Sequence, residues 1–170
     1  SKVEANPMVK ITYNNLTIHS HLIGIYNANN INAAITIGSY FKVSDGLIKE
    51  AIENYIPENN RSQLIKKNSN EIILDAYNAN PSSMSAAIIN FIQLENNNKI
   101  AILGDMFELG EESLTEHKKI IELVANETSI KTYFIGKDFY TNQTQNSHLK
   151  FFENFENFAA FFKSNIPSES

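Results

Sequence analysis

Residues 71–92 read EIILDAYNANPSSMSAAIINFI, and this stretch decides the fold because three patterns follow one another without a gap. Ile72, Ile73 and Leu74 form a short continuous apolar run, as in a strand covered on both faces in a parallel sheet. Asp75 ends the run. Asn80 then stands at a helix N-cap, where its side-chain oxygen can accept a free backbone N–H, and Pro81 takes the first helical position, where no donor is missed. Met84, Ala87, Ile88, Phe91 and Ile92 keep the spacing of one buried helical face. Between strand and helix lie Asp75, Tyr77, Asn78 and Asn80, more hydrogen-bonding groups than packing requires. In an open α/β sheet, ligands bind at such carboxyl-end loops.

Downstream the alternation repeats. Residues 99–103 and 131–135 read as strands, with a helix over 113–126 between them, so a parallel sheet is expected. Residues 148–152 are a candidate fourth strand, and Phe155, Phe158, Ala159 and Phe162 the inward face of a last helix. The loop GDMFELGEES, 104–113, again sets acids at a carboxyl end, and Ser113 with Glu116 forms a capping box. His117, one turn in, reads as a helix-surface or packing histidine, because the sequence supplies no partner for a catalytic base. Gly136, Lys137 and Asp138 read as a loop. They are not a phosphate loop, since the earlier glycine and the following Ser or Thr are missing.

Upstream, residues 9–13 and 16–23 make two antiparallel strands around Asn14 and Asn15, a pair suited to the positive φ angles of a tight hairpin. His19 and His21 share one face of the second strand, a solvated face rather than a metal site, which needs three or four ligands. Ile31, Ala34, Ile35, Gly38 and Phe41 then form a helical stripe, and a second helix capped by Ser44 or Asp45 carries Leu47, Ile48, Ala51, Ile52 and Tyr55 inward. Asn27 and Asn30, three apart, share one side of the first turn. Their amides can meet a purine edge, or serve more plainly as an N-cap and an exposed asparagine. Residues 57–63, PENNRSQ, read as a domain linker, and Arg61 within it can fork onto a phosphate or form a surface ion pair.

A chain of 170 residues holds one substantial core, or one domain with a piece of another, and the linker favours the second. A net charge of −5 with only 14 basic residues leaves no basic stripe, which argues against nucleic acid as a partner. The lack of cysteine removes disulfides, thiolate zinc sites and cysteine nucleophiles, and suits a reducing cytoplasm. With no apolar run of spanning length and no charged-then-apolar leader, a soluble cytoplasmic protein without a membrane partner is expected.

Four strings, GIYNANNINAA (24–34), NNRSQ (59–63), LDAYNANPSSM (74–84) and LGDMFELGEESLTEH (103–117), taken in that order, closely resemble the Mur ligases of peptidoglycan synthesis. YNANP and GDMFELG are similar to the branch that joins D-alanyl-D-alanine to UDP-N-acetylmuramoyl-tripeptide, rather than to those adding alanine, glutamate or a diamino acid. The resemblance implies an α/β fold. Residues 1–57 would be the tail of a central ATPase domain, a small α+β remnant, and 58–170 a truncated carboxyl-terminal domain with a Rossmann-like, mostly parallel sheet and flanking helices. The phosphate-loop lysine, the magnesium-binding acids, the UDP-sugar domain and a late KGS-type motif would lie outside these residues, so the fragment alone is expected to be inactive and the full-length enzyme monomeric.

In that family a peptide carboxylate attacks the γ-phosphate of ATP, and an amine then displaces phosphate from the acyl phosphate. By position, Asn27 and Asn30 match the motif facing adenine, Arg61 the linker arginine near the phosphates, and Asp75 the aspartate at the ribose. Tyr77, Asn78 and Asn80 match the loop where nucleotide and entering dipeptide meet; Arg61, Asn78 and Asn80 are the implied catalytic residues. Tyr26 stands where relatives often carry histidine. Asp105, Glu108 and His117 match positions that shape the cleft. Two other readings share parts of the pattern: another Mur-type or folylpolyglutamate-type ligase, and a non-catalytic flavodoxin-like binding module.

Overall fold

The computed structural model describes residues 2–58 and 60–167, so Asn59 of the expected linker and the polar end at 168–170 lie outside the described residues. The chain divides into two compact units. One takes the residues up to Ile65 together with Ile72–Tyr77; the other takes Lys66–Glu71 and everything from Asn78 onward.

In the first unit, β1 (Lys2–Ala5), β2 (Met8–Tyr13) and β3 (Leu16–Ile23) form an antiparallel meander in the order β1-β2-β3. Asn14 and Asn15 turn the β2–β3 hairpin at φ 44° and 61°, as their short polar side chains allow. The edge strand β1 had no legible signal in the sequence. Val9, Ile11 and Ile18 point to one face, and α1 (Ala28–Tyr40) and α2 (Asp45–Asn54) cover it with Ile31, Ile35 and Ile48. Gly38 lets the helices close: a Cβ there would sit 2.9 Å from Ile48 Cγ1. The broad stripes expected on these helices are only partly buried. Ala34, Phe41, Leu47, Ala51 and Tyr55 are exposed, because a three-stranded sheet covers little more than one residue per turn of each helix.

The decisive stretch is paired differently from the expectation. β5 (Asn70–Leu74) forms a two-stranded hairpin with β4 (Gln63–Lys67), turning at Asn68 (φ 57°), and has no other ladder partner among the described residues. Its apolar run is therefore not that of a strand covered on both faces, and Ile72 stays 38% exposed. Asp75 consequently lies at the open end of a ribbon rather than at the carboxyl end of a parallel strand.

In the second unit, β6 (Lys99–Gly104), β7 (Ile130–Ile135) and β8 (Leu149–Phe152) form the expected parallel sheet, in register from Lys99↔Ile130 to Gly104↔Ile135 and from Thr132↔Leu149 to Ile135↔Phe152. Alternation along β7 builds two layers. Phe134 stacks on Phe151 at 4.8 Å in a core with α3 (Pro81–Gln93), α4 (Ser113–Ala125) and Phe139 of the short helix α5 (Lys137–Thr141). Tyr133 faces the other way, into Phe158, Phe161 and Phe162 of α6 (Phe155–Lys163). Phe155, expected inside, is 65% exposed: as the first residue of α6 it precedes the turns that lie on Tyr133. This is an α/β fold with a parallel sheet flanked by helices. No helix among the described residues is long and apolar enough to cross a membrane.

The start of α3 follows the sequence reading. Asn80 Oδ1 accepts from Ser83 N at 2.9 Å while Ser83 Oγ accepts from Asn80 N at 3.1 Å, and Pro81 follows the cap. Removing the acceptor leaves one helix-end donor unsatisfied, so Asn80→Ala is expected to cost about 1 kcal/mol. Denaturant titration checks this, and a midpoint unchanged from the parent would refute it.

Candidate functional site

The β4–β5 hairpin makes neighbours of residues that the sequence separates. At its open end Ala76 N donates to Asn60 O at 2.9 Å, and Ser62 N donates to Asp75 Oδ1 at 3.2 Å. Asn60 and Ser62 reach this arrangement at φ 61° and 50°. Asp75 is exposed, and its second oxygen accepts from Tyr26 Oη at 3.3 Å. Arg61 lies 4.0 Å over the ring of Tyr77, a cation–π contact of about 0.5–1 kcal/mol at an exposed position.

Beneath this surface is a buried polar layer. Ser62 is 5% exposed, and its hydroxyl meets Tyr26 Oη at 3.1 Å and Asn27 Nδ2 at 3.4 Å. Asn27, 6% exposed, also donates to Ile23 O at 2.7 Å and accepts from Asn30 Nδ2 at 3.0 Å. Asn27 stands before α1 without capping it through its side chain. Burial raises the pKa of the Tyr26 phenol; the Ser62 hydroxyl opposes this and the Asp75 carboxylate adds to it. The ring lies over Gly24 (φ 88°), where a Cβ would overlap it.

A second cluster, in the other unit, is held from within. Asp105 accepts from Asp138 N at 3.1 Å and Phe139 N at 3.0 Å, so a carboxylate satisfies the amino end of α5. That is why residues after Gly136 form a helix rather than the expected loop. His117 is fully buried, as a packing histidine: Nε2 accepts from Met106 N at 2.9 Å, and Nδ1 lies 2.7 Å from Ser113 O. Those partners fix the tautomer with the proton on Nδ1. The capping box expected from Ser113 and Glu116 does not form, since Glu112 is the N-cap and the Ser113 hydroxyl donates to Asp138 Oδ2 at 2.5 Å. Asp105, His117 and Asp138 have ligand atoms within 4.8 Å of one another, but the one imidazole lone pair already takes the Met106 N–H, which leaves two carboxylates, fewer ligands than a protein metal site uses. The cluster does not fit a metal ion such as magnesium. It clamps the 105–109 loop, with Met106 buried and Phe107 75% exposed.

Residues 60–163 match the family model of the Mur ligase, glutamate ligase domain, over more than half of the chain. The chain belongs to the Mur ligase family. It is 36% identical over 118 residues to the UDP-N-acetylmuramoyl-tripeptide–D-alanyl-D-alanine ligase of Bacillus subtilis, covering 68% of this chain and 26% of that one. The corresponding ligase of Acinetobacter baumannii superposes with a TM-score of 0.84 at 25% identity, over 98% of this chain and 37% of that one. The MurF ligase of Thermotoga maritima in complex with ADP shares the fold, with a TM-score of 0.73 at 16% identity, over 95% of this chain and 38% of that one. This chain therefore spans well under half the length of the relatives it matches.

Of the residues singled out by likeness to Mur ligases, Asn27, Asn30, Arg61, Asp75 and Tyr77 come together in the first unit, around Ser62, which the sequence reading passed over. A serine among turn residues carries no chemical mark; the one available signal was the run of turn formers around it. Asn27 is an internal brace, and exposed Asn30 offers its amide oxygen. Asn78 and Asn80 belong to the second unit. Asn78 Oδ1 accepts from Ala79 N, Asn80 Oδ1 serves the cap, and neither Nδ2 has a partner among the described residues.

A methyl group at Gly136 (φ 133°) would overlap the Asp105 carboxyl, so Gly136→Ala is expected to lose on the order of 2 kcal/mol or more. A denaturant midpoint equal to the parent's would contradict that clamp. For Tyr26 the folded pKa lies above the ordinary 10.0, so its contribution is whole below about pH 10 and is lost as pH rises through the raised value. The stability difference between the parent and Tyr26→Phe is expected to shrink between pH 8 and pH 11 in denaturant melts; a constant difference would contradict it.

Proposed function

We propose that this chain is part of an ATP-dependent ligase that joins D-alanyl-D-alanine to UDP-N-acetylmuramoyl-tripeptide, with residues 1–57 ending its central ATPase domain and the remainder forming most of its carboxyl-terminal domain. The carrying observation is the assembly of Arg61, Asp75 and Asn30 at one exposed edge, around the buried Ser62 and Asn27. The similarity to ligases of that name, one solved with ADP, supports the reading.

ATP fits the donor set. The carboxylate of Asp75 accepts one protein hydrogen bond on each oxygen, which leaves lone pairs for the two hydroxyls of a ribose. Asn30 can accept from the exocyclic amine of adenine. Arg61 is permanently charged and forks onto phosphate oxygens, and its place over Tyr77 limits the directions in which it reaches. ATP supplies the phosphoryl group that turns the tripeptide carboxylate into an acyl phosphate. This chain's residues bind and orient, lowering the entropic part of the barrier. The free amide donors of Asn78 and Asn80 suit the dipeptide's carboxylate or carbonyl.

In the complete ligase, Asp75→Asn is expected to raise the KM for ATP roughly 10- to 100-fold through lost charge-assisted hydrogen bonds, with little change in the KM for D-alanyl-D-alanine. Arg61→Ala is expected to lower kcat/KM for ATP by a similar factor. Steady-state kinetics with each substrate varied in turn decides it, and an unaltered KM for ATP in Asp75→Asn would overturn the assignment.

A further inference from the structure

Four polar groups in the first unit lie in series. Asn27 Nδ2 is 3.4 Å from Ser62 Oγ, Ser62 Oγ is 3.1 Å from Tyr26 Oη, and Tyr26 Oη is 3.3 Å from Asp75 Oδ2. An amide nitrogen can only donate and an ionised carboxylate can only accept, so the ends fix the protons between them. Asn27 donates to Ser62, Ser62 donates to Tyr26, and Tyr26 donates to Asp75. All three bonds point toward the negative charge, the arrangement in which each polarises the next.

We infer that Tyr26 and Ser62 are positioning residues that hold the Asp75 carboxylate in the one orientation able to accept a vicinal diol. This rests on the nucleotide reading of the site given above. Asp75 follows the last residue of a two-stranded ribbon and is exposed, so burial does not select its rotamer. Selection comes from two donors of independent origin, the Ser62 N–H on Oδ1 and the Tyr26 hydroxyl on Oδ2. Both donors are fixed. Ser62 is buried at φ 50°, and the Tyr26 ring fills the space over Gly24 that a Cβ would occupy. The anchor at the far end is equally firm, since Asn27 is buried and bonded to Ile23 O. With one oxygen held on each side, the lone pairs left to a ligand point outward as a pair, which matches two adjacent hydroxyls and not a single one.

The test compares Tyr26→Phe and Ser62→Ala, which keep ring and backbone, with Asp75→Asn. In the complete ligase, Tyr26→Phe is expected to raise the KM for ATP about 5- to 10-fold with kcat within about twofold. It should also bring the ratio of KM values for 2′-deoxy-ATP and ATP toward one, the same change expected of Asp75→Asn. In the 170-residue chain itself, NMR hydrogen exchange at the Ser62 amide should quicken about tenfold in Tyr26→Phe, because that amide loses a fixed acceptor. Ser62→Ala should give the same kinetic pattern. If Asp75→Asn raises the KM while Tyr26→Phe leaves both the KM and the deoxy ratio unchanged, the positioning role is overturned. If Asp75→Asn itself changes nothing, the nucleotide reading fails, and unchanged Ser62 exchange in Tyr26→Phe then overturns the positioning role by itself.

Discussion

A carboxylate at the end of a strand takes up donors, and in each unit of this chain backbone N–H groups of a segment the chain brings alongside supply them, from a turn in one unit and from the start of a short helix in the other. Asp75, after β5, takes the amide of Ser62; Asp105, after β6, takes the amides of Asp138 and Phe139. Much of the local architecture follows. The Asp75 bond closes the mouth of the β4–β5 hairpin and sets Arg61 over Tyr77. The Asp105 bonds start α5, whose Phe139 enters the core, and they require glycine at 136 because the carboxyl occupies the place of a side chain.

Each aspartate holds one protein donor per oxygen, and what differs between them is whether a ligand can reach the lone pairs that remain. Asp105 is largely enclosed, with its oxygens on the end of a helix and the buried His117 beside it. Opening that cluster to a ligand would strand buried donors, at about 1–3 kcal/mol for each. Asp75 is exposed and holds one protein donor per oxygen. A ligand there completes the shell rather than breaking it. Similar chemistry therefore makes one aspartate a structural clamp and leaves the other a candidate binding group.

Elements whose cause is local were legible in the sequence. Asn14 and Asn15 turned the hairpin, Asn80 and Pro81 started α3, and the apolar runs of β6 and β7 paired in parallel as read. Elements whose cause is a distant partner were not. The run Ile72-Ile73-Leu74 looks the same in a buried parallel strand and in a ribbon, and only the short strand β4, with its charged Lys66 and Lys67, decides between them. Ser113 had the spacing of a capping box, yet Asp138, 25 residues away, takes its hydroxyl. In the candidate site, likeness to relatives marked residues by type, while the buried layer that supports them was invisible. Ser62 is remote from both Asn27 and Asp75 in sequence, and only the folded chain sets it between them.

That buried layer bears on whether an exposed edge of this kind is ordered enough to bind a ligand. Fixing an exposed, rotamer-rich side chain costs roughly 0.5–1.5 kcal/mol on binding, and a charged pair formed in water returns little more than that. A site made of loose Arg61, Asn30 and Asp75 side chains would spend most of its interaction energy on ordering them. Here the ordering is done during folding. Asn30 is tied to Asn27, Arg61 rests on Tyr77, and Asp75 is gripped at both oxygens. Folding can bear this because the braces are themselves satisfied: Asn27, Ser62 and Tyr26 leave no side-chain polar atom buried without a partner among the described residues. Burying them without those bonds would cost more than the preorganisation returns, so the buried network and the exposed edge stand or fall together.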